Sequence, residues 1–245
     1  RDYDALAQLL DKSTADVRLI VTDGVFSMDG DRASVDVLQK LAQKYDAWVV
    51  VDDAHGYGVI GDEGLGSLEV EQSINGRVIL VGTLGKSAGL SGAFVIAHQT
   101  IIDYIFQTAR TYIYTTAPLP AISYALLKSL DLMHGDEGRQ RRGHLRVLEQ
   151  HLRCGLSDLL GEYSNAGLSI SDSVSPIQAV IVGESQRAIG LSDGLNELGF
   201  RVPGIRPPTV PIGTSRIRVT LSADHSINDV DRLMDAFRIL FNKRI

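Results

Sequence analysis

Apolar residues recur along the chain with two spacings, one typical of strands and the other of helices. Short β-rich runs occur at Val17–Thr22, Trp48–Val51, Arg77–Val81 and Ala93–Ala97, and the apolar positions of Val35–Tyr45 have helical spacing. Runs that are apolar on both faces and alternate with helices predict a mainly parallel sheet covered on both sides. The first part of the chain is therefore predicted to be an α/β domain.

The pattern changes in the second half of the chain. Residues 120–160 read as helical, with a break at Gly135–Gly138. The elements predicted beyond residue 164 are a strand at Ile177–Val182, a helix at Ser185–Leu198, short strands at Phe200–Pro203 and Arg216–Leu221, and a closing helix at Ile227–Phe241. This order predicts a large domain over residues 1–160 and a small α+β domain over residues 161–245.

Composition narrows the class of protein. The chain has 44% hydrophobic and 22% charged residues and a net charge of −6, which is ordinary for a soluble globular protein and gives no basic surface for nucleic acid. No apolar run approaches the ~20 residues that span a bilayer. Cys154 is the single cysteine, so an internal disulfide and a cysteine-based zinc site are excluded, and no metal site is predicted. Together with an N-terminus that lacks an apolar core, these features lead us to expect a cytoplasmic protein.

A first chemically informative stretch is Val49–Gly56, with the sequence Val-Val-Val-Asp-Asp-Ala-His-Gly. A buried strand here delivers two carboxylates and an imidazole to its carboxyl end, which is where ligands bind in open α/β sheets. An Asp at a strand end also often does no more than cap the next turn, and a nearby His can be incidental. Taken alone, this stretch does not decide between the two interpretations.

A second stretch, Ile79–Gly89, ends a strand in a glycine-rich turn that carries Lys86. Glycine lets the backbone approach a ligand closely, and the hydroxyls of Thr83 and Ser87 can bond to it. A lysine among small residues is expected to be partly desolvated, which favours its use as a nucleophile. A solvated lysine in a surface turn is the alternative for any single lysine.

The two stretches together predict a more specific chemistry. Pyridoxal phosphate (PLP) needs an amine for its aldehyde and an acid beside its ring nitrogen, so that the ring accepts electrons. Lys86 supplies the amine, Asp52 the acid, and His55 an imidazole that could reach the neighbouring ring oxygen. We therefore predict a PLP site formed by the ends of two strands.

A phosphate-binding P-loop is the rival interpretation, because Gly85-Lys86-Ser87 matches the end of that motif. The motif requires a glycine five positions before Gly85, where this chain has Leu80, and the Asp-bearing strand precedes the lysine stretch instead of following it. These departures disfavour a nucleotide hydrolase.

Three segments resemble the α-oxoamine synthases, PLP enzymes of fold type I that join an amino acid to an acyl thioester with loss of carbon dioxide. The segments are Val25–Asp31, Asp52–Gly61 and Thr83–Lys86. The resemblance implies an aspartate-aminotransferase-like large domain with a parallel sheet, followed by a small C-terminal domain. It also implies a longer family pattern, with further sequence before Arg1, and it departs from that pattern at Ala88, where the family usually has a larger side chain.

The resemblance also implies roles for individual residues. It assigns catalysis to Lys86, His55 and Asp52, and cofactor binding to these three together with Ser27, Thr83 and Thr116. Thr116 resembles a residue that reaches the phosphate from the other subunit of a homodimer. Arg218 resembles an arginine that binds the substrate carboxylate, with Thr209 and Arg206 as further substrate contacts.

The expected substrates follow from the same comparison of motifs. The segment at Asp52–Gly56 and the proline-rich Ile205–Pro211 are most similar to members that join L-alanine to a pimeloyl thioester, carried by coenzyme A or a carrier protein, in biotin biosynthesis. Two alternatives stay open: a sister synthase of the aminoketobutyrate ligase type that uses glycine or serine, and a dimerising fragment without activity.

Overall fold

The computed structural model describes residues 1–69 and 76–243. It divides into two compact units, each with its own sheet. The first unit consists of residues 1–25 and 32–140, and the second of Phe26–Asp31 together with the chain from Arg141 onward. The division thus falls after Gln140, earlier than the predicted boundary at residue 160, and the short Phe26–Asp31 segment belongs to the second unit.

The first unit contains four strands and five helices within the described residues. In chain order these are α1 (Tyr3–Lys12), β1 (Arg18–Asp23), α2 (Val35–Lys44), β2 (Ala47–Asp52), β3 (Val78–Thr83), β4 (Ala93–Ile96), α3 (Gln99–Thr108), α4 (Arg110–Ile113) and α5 (Pro120–His134). The sheet order is β1-β2-β3-β4; the first three strands are parallel and β4 runs antiparallel to β3. The predicted α/β fold with a mainly parallel sheet is confirmed.

The core of this sheet lies on one face of β2. Val49 and Val51 are fully buried there, and α2 buries Val35 and Leu38, which are three residues apart and so share one face of the helix. The predicted cover on both faces is wrong for β1. Leu19 and Val21 are 57% and 71% exposed, whereas Ile20 between them is buried, so within the described residues this edge strand is covered on one face only.

The second unit is built around an antiparallel sheet. The chain enters it through α6 (Asp136–Glu162), whose first turn still belongs to the first unit, and a short 3-10 turn at Ser164–Ala166 follows. The remaining elements are β5 (Ser169–Ile170), β6 (Ile177–Gly183), α7 (Ser185–Glu197), β7 (Gly204–Ile205), β8 (Ser215–Thr220) and α8 (Ile227–Asn242). The sheet order is β5-β6-β8-β7, with every neighbouring pair antiparallel.

One face of this sheet carries the hydrophobic core. Val180 and Ile217 are register partners, are fully buried, and pack with the inner faces of α6, α7 and α8. Alternate residues of a strand point to opposite faces. Arg216 and Arg218, on either side of Ile217, therefore emerge together from the face opposite the core.

The strand predicted at Phe200–Pro203 starts later, at Gly204. The Phe200 amide donates to the Leu195 carbonyl at the end of α7, at 2.8 Å, so it is used to terminate the helix. Pro203 has no N–H to offer a ladder. Among the described residues, no helix combines the length and apolar character required to cross a membrane.

Candidate active site at the carboxyl ends of the parallel strands

The parallel strands of the first unit bring polar residues to one edge of the sheet. Asp52 ends β2, Thr83 ends β3, and Asp23 ends β1 directly opposite Asp52 in the parallel register. The carboxyl edge of such a sheet is where ligands bind in open α/β folds. The strand ends thus supply two carboxylates and a hydroxyl to a single edge.

Lys86 and His55 meet beside these strand ends. The Nζ atom of Lys86 lies 2.9 Å from the Nε2 atom of His55, and the turn that carries the lysine is closed by the Leu84 amide, which donates to the Gly92 carbonyl at 2.9 Å. The sequence prediction brought these two stretches into one site, and the structure places them in hydrogen-bond contact. The predicted partial desolvation of the amine is wrong, because Lys86 is exposed.

A second contact holds the lysine turn against the histidine turn. The Ser87 hydroxyl donates to the Tyr57 carbonyl at 2.6 Å. The Tyr57 ring packs edge-on against Phe94 of β4, with ring centroids 4.9 Å apart, and burial raises the pKa of its hydroxyl. The two turns are therefore joined to each other and anchored to the sheet.

Asp52 and Asp53 are adjacent but have different environments, because successive residues at a strand end point to opposite sides. Asp52 is exposed, and its Oδ1 atom accepts the Ala54 amide at 3.0 Å. Asp53 is completely buried and accepts two hydrogen bonds from Ser67, from the amide at 2.8 Å and from the hydroxyl at 2.5 Å. Asp52 is thus available to a ligand, whereas Asp53 is used inside the protein.

Asp53 fixes the loop that follows the histidine. Ideal Cβ atoms placed on Gly24, Gly56 and Gly66 would each lie within 2.5 Å of an Asp53 carboxylate oxygen, so glycine is required around it. Burial raises the pKa of Asp53, and the hydrogen bonds from Ser67 oppose that shift. The sequence analysis chose Asp52 as the acid and assigned no role to Asp53, and the glycines at Gly24 and Gly56 are the signal that could have indicated this structural carboxylate.

Asp23 is a site residue that the sequence analysis missed. Burial raises its pKa, the Asp52 carboxylate raises it further, and Lys86 lowers it. These influences show that the three side chains share one electrostatic environment. Asp23 follows a β-rich run just as Asp52 does, but that position alone does not distinguish a site residue from a turn residue.

The threonines predicted to bind the cofactor both belong to the first unit, Thr83 at the end of β3 and Thr116 in a loop. Thr83 is half-buried, and its hydroxyl accepts the Gly85 amide at 3.3 Å, at the start of the lysine turn. Thr116 is exposed in the loop between α4 and α5. Ala88, the departure from the family pattern, is buried, and its carbonyl accepts the Ser129 hydroxyl at 2.8 Å.

The remaining predicted site residues belong to the second unit. Ser27 is half-buried in the turn of Phe26–Asp31, and its carbonyl accepts a hydrogen bond from the Nη1 atom of Arg218 at 3.1 Å. Thr209 and Arg206 are both exposed and close one turn, in which the Thr209 amide donates to the Arg206 carbonyl at 3.1 Å. The structure thus brings Ser27 to Arg218 and Thr209 to Arg206.

The P-loop interpretation is contradicted by the elements around Lys86. A P-loop leads from a strand into a helix whose first turn holds the phosphates. Here the lysine turn leads from β3 into the antiparallel strand β4. The helical N-terminus that this motif needs does not follow Lys86.

Comparison with known proteins identifies the family. The chain matches the family described as Aminotransferase class I and II over residues 1–237. This match extends over most of the chain, and the chain therefore belongs to the class I and II aminotransferase family. The fold-type-I architecture predicted from the sequence agrees with it.

Individual relatives show which members of the family this chain is similar to. The chain is 52% identical over 235 residues to 8-amino-7-oxononanoate synthase 2 of Polaromonas sp. (strain JS666), covering 96% of this chain and 58% of that protein. Among solved structures, it resembles an 8-amino-7-oxononanoate synthase from Francisella tularensis, with a TM-score of 0.78, 28% identity, and 98% and 68% of the two chains covered. It also resembles a serine palmitoyltransferase from S. paucimobilis with a bound PLP–myriocin aldimine, with a TM-score of 0.84, 27% identity, and 97% and 59% covered. The resemblance predicted from the motifs is confirmed, while the chain spans less than two thirds of the length of the Polaromonas relative.

Proposed function

We propose that this chain carries the lysine site of a PLP-dependent acyltransferase that condenses L-alanine with a pimeloyl thioester to give 8-amino-7-oxononanoate. The observation that carries the proposal is the 2.9 Å contact between Lys86 Nζ and His55 Nε2, in the turns that follow β3 and β2, where β2 ends at Asp52. The relatives named 8-amino-7-oxononanoate synthase support the choice of reaction.

The residues present fit PLP by their chemistry. An exposed amine at Lys86 can bond to an aldehyde, an exposed carboxylate at Asp52 can hold a protonated ring nitrogen, and the imidazole of His55 can bond to a ring oxygen. Thr83 adds a hydroxyl for the phosphate. When bound, the group supplies an electron sink that stabilises negative charge on the substrate α-carbon.

The proposed reaction balances without an oxidant or a reductant. The thioester C–S bond breaks, a C–C bond forms between the acyl carbon and the α-carbon of alanine, and the alanine carboxylate leaves as carbon dioxide. The products are 8-amino-7-oxononanoate, carbon dioxide and a free thiol. Proton transfer at the α-carbon is the work that side chains of this chain must do.

Lys86 and His55 are close enough to each other to carry out this proton transfer together. The Lys86 amine, when neutral, can take a proton at Nζ, and the Nε2 atom of His55 is near enough to exchange it. Asp52 supplies fixed negative charge, and Asp23 increases it when ionised. Arg218 would bind the alanine carboxylate with the guanidinium N–H groups that are not hydrogen-bonded to the Ser27 carbonyl.

We further propose that the protein works as a cytoplasmic homodimer in which Thr116 serves the phosphate site of the other subunit. Large apolar side chains are exposed from α3 to α5, as expected of a surface that a second copy covers. They are Tyr104, Phe106, Tyr112, Ile113, Tyr114, Leu119, Tyr124, Leu127 and Leu132. The exposed single thiol of Cys154 agrees with a reducing compartment.

The attachment test uses the protein reconstituted with PLP and reduced with borohydride. Peptide mass mapping should locate the cofactor on Lys86, and Lys86→Ala should lose both this adduct and the visible absorption of the bound cofactor. Lys128→Ala, which removes an exposed lysine on α5, is the matched control and should retain them. An adduct on another lysine in the parent protein would contradict the proposed site.

The substrate test compares amino acids with pimeloyl-coenzyme A and a pimeloyl carrier protein as acyl donors. Mass spectrometry should detect 8-amino-7-oxononanoate with L-alanine. A preference for glycine or serine would favour the sister synthase. Cofactor attachment without product from any of the three would favour an inactive, dimerising chain.

A further inference from the structure

The Phe26–Asp31 segment forms a tight turn that belongs to the second unit. The Phe26 amide donates to the Asp31 carbonyl at 2.9 Å, and the Gly30 amide donates to the Phe26 carbonyl at 2.8 Å. Gly30 has φ of +73°, and an ideal Cβ there would lie 2.1 Å from the Ile177 carbonyl oxygen. The turn therefore packs directly against the sheet of the second unit, and only glycine fits at position 30.

An ion pair between the buried Arg216 and the partly exposed Asp29 holds the middle of this turn. Arg216 is only 5% exposed and donates through Nη1 to the Asp29 carboxylate. Its Nε atom donates to the Thr214 carbonyl at 3.1 Å and its Nη2 atom to the Thr214 hydroxyl at 3.2 Å. The guanidinium is thus fully oriented, and Asp29 is the acidic group it is oriented toward.

Arg218 lies next to Arg216 on the same face of β8, two residues along the strand. Its Nη1 atom donates to the Ser27 carbonyl at 3.1 Å, whereas its buried Nε atom has no hydrogen-bond partner within the described residues. A buried donor without a partner is costly unless a ligand or water satisfies it. The turn thus fixes one end of this guanidinium and leaves a donor unused.

We infer that Asp29 and Arg216 form a positioning pair, which holds the Ser27 carbonyl where it orients Arg218 for the carboxylate of the amino-acid substrate. The inference deepens the proposed function and rests on it. Asp29 touches no reacting atom; it acts through Arg216 and the backbone of the turn. Ser27 is also a proposed cofactor contact, so the pair would position this residue together with the substrate-binding Arg218. Pre-orientation of this kind lowers the ordering cost of binding.

The test compares Asp29→Asn with the parent holoenzyme. Asp29 is 44% exposed at its side chain, and asparagine keeps its shape while removing the charge. L-alanine and ethylamine, which lacks the carboxylate, are titrated separately, and the change in cofactor absorption gives each dissociation constant. Asp224→Asn is the matched control, because Asp224 is an exposed aspartate of the same unit that also pairs with an arginine, Arg141.

The expected result is a dissociation constant for L-alanine raised about tenfold in Asp29→Asn, with that for ethylamine unchanged. Equal affinity for alanine in variant and parent would overturn the inference, and so would an equal loss for both amines, which indicates general damage to the site. Asp224→Asn should match the parent for both.

A second measurement needs no substrate. Hydrogen–deuterium exchange of peptides that contain Phe26–Asp31 should be faster in Asp29→Asn than in the parent and in Asp224→Asn. Unchanged exchange would overturn the positioning role even in a protein that binds no alanine. Faster exchange in Asp29→Asn, together with a parent that binds PLP but does not respond to alanine, would keep the pair and reject the proposed substrate.

Discussion

The Nζ atom of Lys86 lies 2.9 Å from the Nε2 atom of His55, although 31 positions separate the two residues in the chain. Two strands with parallel register deliver them, and the hydrogen bond from the Ser87 hydroxyl to the Tyr57 carbonyl holds the two turns together. This contact places an imidazole within hydrogen-bond distance of the lysine amine, so that a proton can pass between them.

We expect His55→Asn to lower kcat about 100-fold, because an amide cannot exchange protons as an imidazole does. Steady-state assay of product formation measures this effect. His98→Asn is the control: His98 is an exposed N-cap of α3, where asparagine is equally suitable, and kcat should not change. An unchanged kcat in His55→Asn would remove the histidine from the proton-transfer step.

Replacement of the lysine should be detectable at Asp23. Lys86 lowers the pKa of the Asp23 carboxyl, while burial and the Asp52 carboxylate raise it. Lys86→Met removes the lowering influence, so the pKa of Asp23 should rise further. Carboxyl-carbon NMR titration of the cofactor-free protein measures it. A pKa that stays the same would mean that the two side chains do not interact in solution.

Two neighbouring residues on α6 test the core of the second unit. Leu148 is fully buried, whereas Val147 is 54% exposed. Leu148→Ala should lower the free energy of unfolding by about 3 kcal/mol, because it leaves a cavity among the helices on the sheet. Val147→Ala should change it by less than about 0.5 kcal/mol. Urea denaturation followed by circular dichroism distinguishes them, and similar losses would contradict the assigned helix face.

The hydropathy pattern predicted where the strands end, because each apolar run is followed by polar residues that are candidates for the site. From this pattern we predicted Lys86, His55 and Asp52 as site residues. It did not identify Asp23, since one Asp after a β-rich run looks the same as a turn residue. A hydropathy pattern reports which residues are apolar, and it does not report which neighbours a carboxylate will meet.

The attachment of Phe26–Asp31 to the second unit could not be predicted in this way. The contact that fixes it joins Asp29 to Arg216, which are 187 positions apart. Neither residue has a local signature, because an Asp-Gly pair predicts only a turn and an arginine in a strand predicts only an edge or a surface. The predicted boundary at residue 160 differs from the observed division after Gln140 for the same reason. Helical periodicity continues through α6, and it carries no information about which sheet the helix packs on.

The buried Asp53 carboxylate makes a prediction about pH. Burial raises its pKa in the folded protein above the ordinary value of 3.8, so the folded state holds this proton more tightly than the unfolded state. Stability contributed by the proton is fully present below pH 3.8 and is lost as pH rises from there through the raised pKa.

Asp53→Asn has no ionisable group, and its amide can donate to the Ser67 hydroxyl while its carbonyl accepts the Ser67 amide. The free energy of unfolding of the variant, relative to the parent, should therefore increase as pH rises through this window and then level off. Urea denaturation across the acid range measures it, with Asp16→Asn, at an exposed position before β1, as the control whose difference from the parent stays flat. A difference that falls with rising pH would mean that the folded protein favours the charged form of Asp53, and that the carboxylate is held by its hydrogen bonds more strongly than burial opposes it.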